Sequence, residues 1–230
     1  MTELAGLTSP QAGEFAAAGA MLAIPVAATE QHGPHLPLST DTDIAVALCA
    51  RLARSRRDVV VAPPVAYGSS GEHQDFAGTL SIGQEALELL LVELCRSATR
   101  TFSRVLLVST HGGNAAVVRR AERKLLSESR EVLAWIANWP GDAHAGRTET
   151  SMQLALAPGR VRLEDAESGE RRPIAELMPV LRASSVSAVS ANGVLGDPTG
   201  ASAAEGASLL DGLARDLLRA VEAWPAERSP

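Results

Sequence analysis

The chain has 230 residues, 46% of them hydrophobic and 21% charged, and a formal net charge of −6. That length holds one sizeable core and is short for two, so a single domain over residues 1–230 is expected. The acidic balance gives no electrostatic case for nucleic acid, and no apolar run nears the roughly 20 residues of a membrane helix, so neither is an expected partner.

The opening MTELAGLTSPQAGEF lacks the basic start and apolar stretch of a secretory signal, which predicts a cytoplasmic protein. Beyond it, apolar runs of strand length alternate with helical periodicity, the order of an α/β layered fold. MLAIPVAA at 21–28 reads as the first strand and 41–53 as the helix after it, closed by the solvated basic cluster RSRR at 54–57. DVVVAPPV at 58–65 reads as a second strand. The helix across 83–100 keeps Leu87, Leu90, Leu91, Leu94 and Ala98 at the spacing of a buried stripe. RVLLVST at 104–110 is a third strand, 115–129 a third helix and EVLAWIAN at 131–138 a fourth strand. A helix is expected to open at Thr148 and to stop at Pro158-Gly159. Residues 160–200, rich in Ser, Gly, Pro and charge, read as loops and short elements at an oligomer contact or a substrate rim. The last helix covers 201–222, with Leu210, Leu213, Leu217 and Val221 on one face. Cys49 and Cys95 fall inside apolar helical patterns without ligand spacing, which predicts two reduced, buried thiols.

Three strings carry chemistry. TEQHGPHLPLSTDTD at 29–43 follows the first strand; on an extended chain Glu30 and His32 face one side, a Gly-Pro loop turns the chain back, and Asp41 arrives at a helix start. A carboxylate, an imidazole and a second carboxylate suit zinc, manganese or iron(II), and one aspartate can bridge two ions. STHGGNAAV at 109–117 puts His111 directly after a strand, where ligands gather in open α/β sheets, and the N–H groups at Gly112 and Gly113 could face a developing oxyanion. WPGDAHAGRTETS at 139–151 offers Glu149 as a ligand and His144 as a proton shuttle. Each string alone also reads as a helix cap, a glycine-rich turn or surface polar residues. Their convergence at three strand ends favours a metal site.

Glu30-Gln31-His32-Gly33-Pro34-His35 with Asp41, then His111-Gly112-Gly113-Asn114, then His144-Ala145-Gly146 with Glu149 resemble the creatininase family in order and spacing over about 21–155. The resemblance implies a three-layer α/β/α sandwich around a mainly parallel sheet, a homohexamer and two divalent ions per chain, zinc and/or iron(II) with manganese possible. It assigns Glu30, Asp41 and His111 to one ion and His32, Asp41 and Glu149 to the other, with His144 and Glu149 as the catalytic pair. YGSSGEHQDFAGTLSI at 67–82 resembles the family's substrate-side loop, so Ser70, His73, Gly112 and Gly113 are expected at the substrate. The family's creatinine-hydrolysing members carry a glutamate ligand where this chain has Gly113, so the second ion here is expected to lean on Glu149. The TEQHGPHLPL wording most resembles the mycofactocin-maturation branch, implying removal of a C-terminal Val-Tyr dipeptide from a modified precursor peptide. Creatinine hydrolysis, formamide deformylation and a non-catalytic metal-containing binding role are the alternatives; the partner is a peptide or small amide.

Overall fold

The computed structural model describes residues 1–225. Five strands, β1 (Thr2–Glu3), β2 (Met21–Val26), β3 (Val59–Val61), β4 (Arg104–Ser109) and β5 (Glu131–Ile136), form one sheet in the order β1-β3-β2-β4-β5. Every pairing is parallel. Among the described residues seven α-helices accompany it: α1 (Ser9–Ala17), α2 (Thr40–Ser55), α3 (Gly83–Ala98), α4 (Ala115–Ser127), α5 (Arg147–Leu156), α6 (Ile174–Ala183) and α7 (Ala203–Ala223).

The alternation of side chains along each strand divides the core in two. Leu22, Ile24, Val105, Leu107 and Val132 face one way and pack with Leu87 and Leu91 of α3 and Val117 and Leu125 of α4. Met21, Ala23, Leu106, Val108 and Trp135 face the other way and pack with Leu48 of α2, Met152 of α5 and Leu210 and Leu217 of α7. Both faces of the sheet are thus covered, which is why its strands read as unbroken apolar runs and why the fold is a three-layer α/β/α sandwich. From β2 the chain crosses to β3 on one side, whereas β4 lies on its other side. The carboxyl ends of β2 and β4 therefore flank the crevice at which parallel α/β sheets bind ligands.

The strands are shorter than the sequence suggests. β3 ends at Val61 because Pro63 and Pro64 cannot donate to a ladder. The chain rejoins briefly where Val65 N–H donates to Pro25 O. That departure also accommodates Pro25 inside a central strand: on the side where it lacks an N–H, the neighbouring strand has already left. In α3 the buried direction is rotated toward Val92 and Cys95, leaving Leu94 42% exposed rather than in the stripe. α1 and the two-residue β1 were not indicated by periodicity, and α1 buries none of its residues. The 160–200 stretch contains the ten-residue α6 around Pro179, longer than the short elements expected. Cys49 and Cys95 are free and buried, as expected, and burial pushes both thiols up.

Candidate metal centre

Glu30 and His32 lie beyond the end of β2, on the loop between Ala27 and Ser39, so strand alternation does not orient them. The loop is pinned instead. Glu30 N–H donates to Leu38 O, and His32 Nδ1 donates to Glu30 O at 3.2 Å. That second bond leaves the lone pair of His32 Nε2 free. Asp41 is the second residue of α2, and its partially positive N-terminus favours a carboxylate there. His111 stands one residue beyond Thr110, just past the end of β4, and Glu149 sits in the first turn of α5 with its Oε2 accepting from Ala145 N–H at 2.6 Å. Ala145 holds a positive φ of 53° to make that contact, a conformation that costs a non-glycine residue and turns its N–H toward the acid.

All five histidines of the chain, His32, His35, His73, His111 and His144, are buried in this region together with Glu30, Asp41 and Glu149. Ligand-type atoms gather in three groups: Glu30, Asp41 and His111; His32, His144 and Glu149; and Glu30, His73 and His144. Asp41 turns one oxygen to each of the first two. Its Oδ2 is 3.6 Å from His111 Nδ1 and its Oδ1 is 3.8 Å from His32 Nε2, which in turn is 3.8 Å from Glu149 Oε2.

Both oxygens of Glu30, His32 Nε2 and Asp41 Oδ2 are buried without a hydrogen-bond partner. Buried polar atoms of this kind are costly unless something charged faces them, and here they all converge. The electrostatics agree. Burial, with Glu30 and Glu149 close by, holds the Asp41 carboxyl well above its usual range, and burial likewise raises that of Glu149. Burial opposes charge on His111 too, but the carboxylates of Glu30, Asp41 and Glu72 outweigh it and raise its pKa to about 10. Burial lowers the pKa of His32, of His35 to about 4 and of His73 to about 3, which keeps these imidazoles neutral. Three acids in a dry space with neutral imidazoles form a donor set that suits divalent cations with mixed nitrogen and oxygen ligands.

The expected site residues all reach this place. Ser70 Oγ lies 3.4 Å from His111 Nε2, and His73 Nε2 lies 3.5 Å from Glu30 Oε1. Gly112 and Gly113 form a short 3-10 turn before α4. A side chain at 113 has no room: its Cβ would stand 2.4 Å from His111 Nε2, 2.5 Å from Ser69 O and 2.6 Å from Glu72 Oε1.

The match to the creatininase family, creatinine amidohydrolase, spans residues 5–221. The chain belongs to the creatininase family. Among relatives in this family, a "mycofactocin precursor peptide peptidase" of Mycolicibacterium smegmatis is 47% identical over 216 residues, covering 91% of this chain and 87% of that protein. One of the same name from Mycobacterium tuberculosis is 46% identical over 232 residues, covering 96% and 91%. Two solved creatininase structures, one described as "creatininase Mn", superpose with a TM-score of 0.83 at 24% identity, covering 98% of this chain and 99% of each of theirs.

Three site residues carry no role in the sequence reading. Glu72, 3.8 Å from His111 Nε2, occupies the space that a side chain at Gly113 would take. His35 Nε2 contacts Thr150 Oγ1 at 2.8 Å, next to Glu149 on α5. Gln31 lies between His73, His144 and the chain at Gly193. Glu72 and His73 are adjacent in GEHQ, and that pairing was the available signal for Glu72. Gln31 was hidden because strict alternation turns it away from Glu30 and His32.

Proposed function

We propose that this creatininase-family chain is a metal-dependent peptidase that cuts the mycofactocin precursor peptide, releasing its C-terminal Val-Tyr dipeptide. The observation that carries the chemistry is the convergence of unpartnered buried atoms of Glu30, His32 and Asp41 between His111 and Glu149. The substrate rests on 46–47% identity, over most of the chain, to relatives named for that activity.

Glu30, Asp41 and His111 would hold one divalent ion and His32, Asp41 and Glu149 a second, zinc or iron(II) in either place, with manganese an admissible substitute. Such an ion pair supplies Lewis acidity toward an amide carbonyl and lowers the pKa of water toward neutrality. Asp41, with one oxygen toward each group, would contribute to both. His144 Nδ1, 3.8 Å from Glu30 Oε1, takes a proton from the attacking water and returns it to the departing nitrogen, which otherwise leaves as an amine anion. Ser70, His73 and the backbone at Gly112 and Gly113 border the same space and orient the scissile amide. The enzyme acts in the cytoplasm as one domain that assembles into a hexamer.

The test is mass spectrometry of the metal-loaded protein incubated in parallel with modified mycofactocin precursor peptide, creatinine and formamides. Loss of the two C-terminal residues from the peptide alone is expected. Turnover of only creatinine or a formamide would replace the substrate, and peptide binding without any cleavage would make the chain a binding protein.

A further inference from the structure

The side-chain amide of Gln31 is anchored by two backbone groups. Gly33 N–H donates to its Oε1 at 2.9 Å, and its Nε2 donates to Gly193 O at 3.0 Å. A backbone N–H can only donate and a carbonyl can only accept, so these contacts together fix which end of the amide is nitrogen. The second hydrogen of Nε2 points to His73 Nδ1 at 2.8 Å, which must therefore accept. With Nδ1 accepting, the His73 proton sits on Nε2, the nitrogen 3.5 Å from Glu30 Oε1.

His144 is set from the same residue. Its Nε2 lies 2.8 Å from the main-chain carbonyl of Gln31, so it must carry hydrogen and donate. Gln31 Nε2 is also 3.0 Å from His144 Nε2, but both of its hydrogens are already committed. With Nε2 the donating nitrogen, a neutral His144 has its lone pair on Nδ1, the atom turned to Glu30 Oε1 at 3.8 Å. The rings of His73 and His144 stand side by side, with centroids 4.4 Å apart, and offer opposite chemistry to one point: one an N–H, the other a lone pair.

We propose that Gln31 is the positioning residue that sets this opposition, making His144 the proton acceptor of the site and His73 an N–H donor toward the oxygen of the bound amide. Gln31 itself touches neither substrate nor the reacting atoms. The assignment also separates ligands from non-ligands. His32 has a free lone pair on its inward nitrogen, whereas His73 has its lone pair taken up by Gln31 and a proton on its inward Nε2, so the group of Glu30, His73 and His144 holds no ion. The catalytic part rests on the hydrolase reading above; the tautomers do not.

The direct test is long-range 1H–15N correlation of histidine side chains in the metal-free and zinc-loaded protein, tractable because the chain has five histidines. Expected are Nε2–H tautomers at His73 and His144, a third ion per chain being undetectable by elemental analysis. A proton on Nδ1 of either ring in the wild-type protein overturns the proposal, with no variant needed. Gln31→Glu replaces a donor by an acceptor of the same shape, so it should move the His73 proton to Nδ1 and lower kcat about 100-fold or more with KM and metal content held. Gln31→Met, which keeps length without hydrogen bonds, serves if the glutamate variant does not fold, and should show mixed tautomers. Wild-type spectra and wild-type kcat in both variants would overturn the proposal. If the wild-type enzyme cleaves no amide at all, the functional reading fails while the tautomers are still read.

Discussion

Asp41 Oδ2 stands 3.6 Å from His111 Nδ1 while the other oxygen of the same carboxylate stands 3.8 Å from His32 Nε2. One short side chain at a helix start therefore faces both candidate ion positions. Asp41→Ala is expected to strip both ions, and Glu149→Ala only the one on the His32 side. Elemental analysis of dialysed protein decides: two ions per chain in the Asp41 variant would end the shared role.

His144 donates to Gln31 O, its ring lies beside those of His32 and His73, and its pairing with Leu195 is through backbone that an alanine keeps. Its replacement by alanine should keep metal content near that of the wild type and lower kcat about 10²–10⁴-fold. Parallel loss of metal and turnover would instead make His144 a ligand.

The charge on His111 gives a pH dependence with a definite sign. Its folded pKa of about 10 lies above the ordinary 6.5, so in metal-free protein its contribution is fully present below about pH 6.5 and is lost as pH rises toward 10. Ions that take the place of that proton bind more tightly as pH rises and release protons on binding. Melting temperatures of metal-free and zinc-loaded protein across this window should diverge upward. Parallel curves would contradict the assignment.

Gly206 marks where α7 crosses α5. A Cβ there would lie 1.8 Å from Ser151 O and 2.7 Å from Met152 N, both main-chain atoms that cannot step aside alone. Gly206→Ala should destabilise the metal-free protein by about 1–3 kcal/mol in urea titration. Because α5 carries Glu149, the variant should also bind its second ion more weakly.

Much of this was legible in the sequence because burial on both sheet faces leaves a plain mark. β2, β4 and β5 are largely apolar runs, and Leu210, Leu213, Leu217 and Val221 of α7 are buried as their spacing indicates. Glu30, His32, Asp41, His111, His144 and Glu149 could be named because each follows a strand or opens a helix. What was hidden depends on tertiary geometry. The strand β3 stops short because two prolines follow it and cannot donate to the ladder. α6 carries Pro179 within it, which blurs a helical pattern. Glu72 gains meaning only beside an absent side chain at 113, and Gln31 only when residues near 193 return to meet it.

The candidate ligands span Glu30 to Glu149, and no short stretch of unfolded chain contains the set. Only a chain in which β2 and β4 already lie side by side, with α5 docked, collects them. Ions that prefer the collected site therefore draw the folding equilibrium with them: at 100 times Kd the native state gains about 2.7 kcal/mol. Scarcity of the ion then acts on abundance as well as turnover, exposing the apo chain to proteolysis before any substrate goes uncut.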